Sequence, residues 1–130
     1  MIELTIPEAV VPYVRMTQRS KWVDPSAQAY LSNKGVLRWY MSQEMDAGDH
    51  VMYDKTPLAV KIIFYVTKLH NNDLDNLTKA VLDAAQGIFY KNDNYIDILV
   101  VTRESAKEPR VKIRITPLTG EACQENDTLT

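Results

Sequence analysis

The sequence predicts an α+β domain, a mixed sheet of about four strands packed with two helices. Three stretches carry that expectation. Leu58 to Thr67 is almost unbroken in apolarity and rich in β-branched and aromatic residues, the signature of a central strand covered on much of both faces. Leu74 to Ile88 repeats its apolar residues at helical spacing, whereas Arg110 to Thr116 alternates basic and apolar residues without a fault.

Taken in order, Ile2, Leu4 and Ile6 alternate with Glu3 and Thr5 as a short strand with one buried face, and Pro7 ends it. Val11 to Trp22 has no clear period and mixes cations with aromatics, so it reads as a loop or irregular strand. That mixture suits a nucleic-acid backbone and exposed bases. Tyr13 and Trp22 would equally serve to cap a core. Asp24-Pro25 opens a helix, with Asp24 as N-cap and Pro25 in the first turn, where its missing N–H costs nothing. Ala29, Tyr30, Val36, Leu37, Tyr40 and Met41 then recur at helical spacing to about Met45, with Gly35 as a weak point. Asp46, Gly48, Asp49, Asp54 and Pro57 mark a loop before the central strand.

In the second helix Leu74, Leu77, Val81, Leu82, Ala85 and Ile88 fall on one side, and Asp75, Lys79 and Asp83 share a flank at i, i+4, i+8. Gly87 is the stop. Ile96 to Thr102 is a third apolar strand, Glu104 to Pro109 a polar turn, and the alternation after it predicts a hairpin whose Arg110, Lys112 and Arg114 face solvent. Residues 1–117 thus form one domain, and 118–130 a polar tail.

No apolar run approaches the roughly 18–20 residues that span a bilayer, and the N-terminus lacks the order of a signal peptide. The single cysteine, Cys123, has no internal partner, so a reducing cytoplasm is expected and a catalytic thiol is not. A net charge of −2 argues against nucleic acid as a partner, but the charges are not evenly spread. Five basic residues (Arg15, Arg19, Lys21, Lys34, Arg38) stand between Val11 and Tyr40 against the single acid Asp24, and five between Arg103 and Arg114 against two acids. A solvated face would look the same. Arg15, Arg19 and Lys21 are the first candidates for phosphate contacts, and Arg110, Lys112 and Arg114 the second.

The chemistry concentrates in His70-Asn71-Asn72-Asp73-Leu74-Asp75-Asn76-Leu77-Thr78-Lys79. An aspartate before a helix is common because it caps free N–H groups and meets the dipole. Two aspartates around a leucine, a lysine one turn on, and Asp93 after a helix and a turn are harder to account for as caps. If Asp93 folds back to the helix mouth, three carboxylates share one place. Two carboxylates ~4 Å apart repel by roughly 4 kcal/mol at an effective dielectric of 20, against about 1 kcal/mol returned by a cap. Such a cluster needs a cation or a raised pKa. Oxygen donors without histidine or cysteine select Mg²⁺ first and Mn²⁺ next. An EF-hand is excluded because Leu77 stands where a ligand is required, and zinc because His50, His70 and Cys123 lack ligand spacing.

The run Asn72-Asp73-Leu74-Asp75-Asn76-Leu77-Thr78-Lys79-Ala80-Val81-Leu82-Asp83-Ala84, then Gly87 and Asn92-Asp93, resembles the RusA family of Holliday junction resolvases, with the likeness extending over about residues 58–116. The resemblance implies metal-binding acids at Asp73, Asp75 and Asp93 and an essential lysine at Lys79. It also implies a Mg²⁺-dependent homodimer that nicks opposed strands of a four-way DNA junction symmetrically, encoded in many cases by phages or prophages. Where the family often carries paired acids at the turn, this chain has Asn92-Asp93. Three other readings fit the same residues: a junction-binding protein that does not cut, a nuclease on flaps or single strands, and a structural domain whose acids are only caps.

Overall fold

A computed structural model describes residues 1–17 and 23–118. Arg19, Lys21, Trp22 and Cys123 lie outside the described residues. The elements follow as β1 (Ile2–Ile6), α1 (Pro25–Ala47), β2 (Leu58–Val66), α2 (Leu74–Ala85), a 3₁₀ turn (Asp93–Tyr95), β3 (Ile96–Ser105) and β4 (Arg110–Pro117). Two helices and a four-stranded mixed sheet make the predicted α+β architecture.

The sheet order is β1-β4-β2-β3, with β4 antiparallel to both β1 and β2 and β3 parallel to β2. The predicted hairpin between the last two strands is therefore not formed. β2 lies between them, and the connection crosses its end, where the Ala106 N–H donates to the Val66 carbonyl at 2.9 Å. The reason lies in β2 itself. Leu58, Ala59, Val60, Ile62 and Phe64 are all buried, so this strand needs a neighbour on each side.

One face of the sheet carries both helices. Ile2 and Ile6, Val111, Ile113 and Ile115, and Val60, Ile62 and Phe64 point into that core, and Leu77, Val81, Ala84 and Ala85 of α2 with Leu37 and Met41 of α1 close it. Among the described residues no helix lies over the other face.

α1 starts where expected, the Asp24 carboxylate accepting from the Ser26 N–H at 2.9 Å, and runs unbroken through Gly35. Its buried side differs from the predicted stripe. Ala27, Tyr30, Leu37 and Met41 face inward, Tyr40 is half-buried, and Ala29 and Val36 are exposed. Only one narrow strip of this long helix meets the core, so apolar residues beside the strip stay outside. Gly35 is exposed, and a Cβ placed there meets nothing within 4 Å. Gly35→Ala should therefore stabilise the fold by roughly 0.5–1 kcal/mol, read as a rise of a few degrees in melting temperature.

α2 ends at the expected place, with Gly87 just beyond it at φ 88°. The Arg38 guanidinium caps that end, donating to the carbonyls of Ala84 at 2.9 Å and Gln86 at 2.8 Å. The segment after β1 is tied to both helices. Asn33 bonds the backbone of Ala9 and Val11, and the Tyr13 N–H donates to the Asn76 carbonyl at 3.1 Å.

Candidate active site

The central strand delivers the chain to the acidic motif. β2 ends at Val66, a loop follows, and α2 begins at Leu74 with Asp73 as its N-cap residue. Asp73 takes the extended backbone of a cap (φ −70°, ψ 133°), yet its carboxylate accepts no capping hydrogen bond. Capping thus does not account for this side chain. Asp75 follows in the first turn, and both carboxylates are exposed beside the positive end of the helix. The loop is pinned to the neighbouring strand, the Arg103 guanidinium donating to the Asn72 carbonyl at 2.5 Å.

Lys79 stands one turn above Asp75. Its ammonium lies 4.9 Å from the centroid of the Tyr13 ring, and Tyr13 in turn meets Tyr30 edge-on at 5.5 Å. Among the described residues Lys79 forms no ion pair with Asp75. Asp75 and Lys79 lie on one rim of a shallow hollow floored by Leu74, Leu82, Leu99 and Val101, between α2 and β3.

Asp93 lies elsewhere in the chain. It opens the 3₁₀ turn, which Asn92 caps by accepting from the Asn94 N–H at 2.9 Å, so an amide at position 92 has a structural use. The Asp93 N–H donates to Gln86 Oε1 at 3.4 Å, at the far end of α2. At ~1.5 Å rise per residue, the helix from Asp75 to Gln86 keeps the two acids roughly 16 Å apart. The expected convergence of Asp73, Asp75 and Asp93 does not occur within one chain, because α2 packs antiparallel to β2 and carries the chain away from its own mouth. Among the described residues no group of three His, Cys, Asp or Glu is placed to hold a metal.

The third acid of the flank, Asp83, is structural. It accepts from the Tyr30 hydroxyl at 2.5 Å and pairs with Lys34 at 3.1 Å. Burial pushes its pKa up, but the Tyr30 hydroxyl and the Lys34 ammonium outweigh burial and hold it below the ordinary carboxylate range. A depressed folded pKa gives stability that is complete above the unfolded value of about 3.9 and is lost as pH falls through the folded one. Melting temperatures taken from pH 7 downward should therefore fall more steeply for the wild type than for Asp83→Asn in the acid range.

The basic residues divide in the same way. Lys34 and Arg38 serve the helix pair, as just described. Arg15 is exposed, two residues beyond the tyrosine that packs on α2. Arg110, Lys112 and Arg114 project from the open face of the sheet as expected. There Arg110 stacks on Tyr65 at 3.8 Å, and Arg114 bonds Glu3 at 2.7 Å. Lys61 joins them, paired in register with Arg114, and lines a small hollow with Ile63, Lys112 and Arg114. Its signal in the sequence was a lone charge inside the apolar run of β2.

No curated protein matches the chain with significance. The family model described as endodeoxyribonuclease RusA matches residues 9–116, a span that runs from the segment tying β1 to the helices through most of β4. No helix among the described residues is long and apolar enough to cross a membrane. With the acidic pair at the mouth of α2, the lysine one turn above it and the match over most of its length, the chain belongs to the RusA family of endodeoxyribonucleases.

Proposed function

We propose that this protein is a Mg²⁺-dependent endonuclease that resolves four-way DNA junctions as a homodimer, nicking two opposed strands in DNA recombination or repair. Its proposed setting is the bacterial cytoplasm, in a phage or prophage context. The observation that carries the reading is Asp73, a helix-cap residue whose carboxylate caps nothing. Magnesium fits the donor set: Asp73 and Asp75 offer exposed oxygens only, and Mg²⁺ is commonly held by one or two carboxylates with the rest of its shell left to water and phosphate. Mn²⁺ is the expected substitute. When bound, the ion supplies Lewis acidity toward a phosphodiester oxygen.

The remaining roles belong to the chain. Asp73 and Asp75 hold the ion at the helix mouth, and Asp93 is the third acid of the set. Lys79, free of Asp75, offsets charge on the scissile phosphate. Arg15, Arg19 and Lys21 on one segment, and Arg110, Lys112 and Arg114 on the open sheet face, take the flanking phosphates.

A synthetic four-way junction should be nicked at paired positions in Mg²⁺ or Mn²⁺ and left whole in EDTA, while a linear duplex of the same sequence resists. Equal cutting of the duplex, or no cutting at any metal concentration, would overturn the proposal. A second reading, junction binding without cleavage, draws on the separation of Asp93 from the Asp73–Asp75 pair, and tight binding with no nick would select it.

A further inference from the structure

Lys79 has a carboxylate one turn away on either side and pairs with neither. Asp75 and Asp83 stand at i−4 and i+4 on its own flank of α2, the spacing at which a lysine and an acid meet on a helix surface. Asp83 is taken up by the Tyr30 hydroxyl and, at 3.1 Å, by Lys34. Asp75 is exposed, yet among the described residues it forms no ion pair with Lys79. The ammonium lies instead over the Tyr13 ring, 4.9 Å from its centroid. An aromatic face holds an ammonium more firmly than an exposed carboxylate one turn away does, which accounts for the arrangement.

Tyr13 is itself fixed at both its backbone and its ring. Its N–H donates to the Asn76 carbonyl at 3.1 Å, mooring the segment to the first turn of α2, three residues before Lys79. The ring meets Tyr30 edge-on, with centroids 5.5 Å apart and planes at 80°. Tyr30 is 1% exposed and its hydroxyl is bonded to Asp83, so the support beneath the ring is rigid.

We infer that Tyr13 is a positioning residue: its ring holds the Lys79 ammonium beside Asp75 but off it, so that the carboxylate stays open to the metal ion and the lysine stays unpaired for a phosphate. This inference rests on the proposed function for the ion and the phosphate, but not for the contact between ring and lysine. A lysine clamped on Asp75 would compete with a divalent cation for the same oxygens. A lysine resting on a ring has an undirected partner, and a phosphate oxygen, which accepts a charge-assisted hydrogen bond, displaces it. The hold is strong enough to keep the ammonium from Asp75 and weak enough to yield to DNA. The face of the ring makes this contact, so phenylalanine should serve in its place and leucine should not.

Three variants separate this role from packing. In protein carrying ¹³C-labelled lysine, the ε-methylene protons of Lys79 are assigned by their absence from Lys79→Met. They should lie upfield in the wild type and in Tyr13→Phe, shifted by the ring current, and move back among the other lysines in Tyr13→Leu. Mn²⁺ affinity, followed by electron paramagnetic resonance, should fall about twofold in Tyr13→Leu, the effect of a newly formed Asp75–Lys79 ion pair, and hold in Tyr13→Phe. In a Lys79→Met background Tyr13→Leu should leave the affinity where it was, since no ammonium remains to move, whereas a packing defect would persist. An unshifted Lys79 in the wild type overturns the inference without any variant. So does a Tyr13→Leu protein that binds Mn²⁺ as the wild type does, or one whose loss is the same without the lysine. A wild type that binds no Mn²⁺ removes the ion and the inference with it. If every arm comes out as expected in a protein that nicks no junction, the role of Tyr13 stands and the nuclease reading falls.

Discussion

Asp75→Asn is expected to lower the rate of junction cleavage at least ~100-fold while leaving the fold in place, since even residues that only support a metal ligand typically cost 10–100-fold when changed. The substitution keeps the size and hydrogen-bonding shape of the side chain but removes the charge that a hard cation requires. Its effect on stability should be small. A negative charge in the first turn of a helix contributes about 0.3–1 kcal/mol through the dipole, and its loss is offset in part by relief of repulsion from Asp73, also exposed at that end. Junction binding in EDTA should be retained and modestly tightened, since losing an acid from a surface met by phosphate relieves repulsion. Cleavage at the wild-type rate by Asp75→Asn would remove the metal role from this residue, and a fall in melting temperature matching the fall in rate would make it a structural one.

Ile62→Ala should produce the largest loss of stability, about 2–5 kcal/mol. Ile62 is 0% exposed at the middle of β2, in register with Ile113 on one side and Val101 on the other. Both helices lie over that face, so neighbours on three sides are fixed and cannot collapse into the void. Against a total of roughly 5–15 kcal/mol for a domain, the change takes up a large share. Urea unfolding should show a lower midpoint with an unchanged slope. A change below ~1 kcal/mol would mean that the core around β2 repacks freely.

Much of this architecture was legible from short-range pattern. The alternation of Ile2 to Ile6 and of Arg110 to Thr116, the unbroken run of β2, the cap at Asp24-Pro25 and the stop at Gly87 are all local signals, and each element formed where its signal stood. Strand partnership is not local. The predicted hairpin failed because sequence neighbours β3 and β4 both pair with β2, whose buried backbone N–H and C=O groups need a partner on each edge. The buried side of α1 was misread at Ala29 and Val36 because apolarity alone does not say which strip of a long helix meets the sheet. At the candidate site, the pair Asp73 and Asp75 and the neighbouring Lys79 were visible as a motif on one helix end. The position of Asp93 was not, since it depends on the direction in which α2 packs. Asp83 shared the motif's spacing and proved to belong to Tyr30 and Lys34, a partnership that crosses from one helix to the other.

The strand order has a consequence for how the chain is made. β4 is the last strand to leave the ribosome, yet it sits between β1, the first, and β2. Until residues 110–117 emerge, the N-terminal strand has nothing to pair with, and one side of β2 stays bare. At roughly 5–20 residues per second that wait lasts several seconds, long enough for a nascent-chain chaperone to matter.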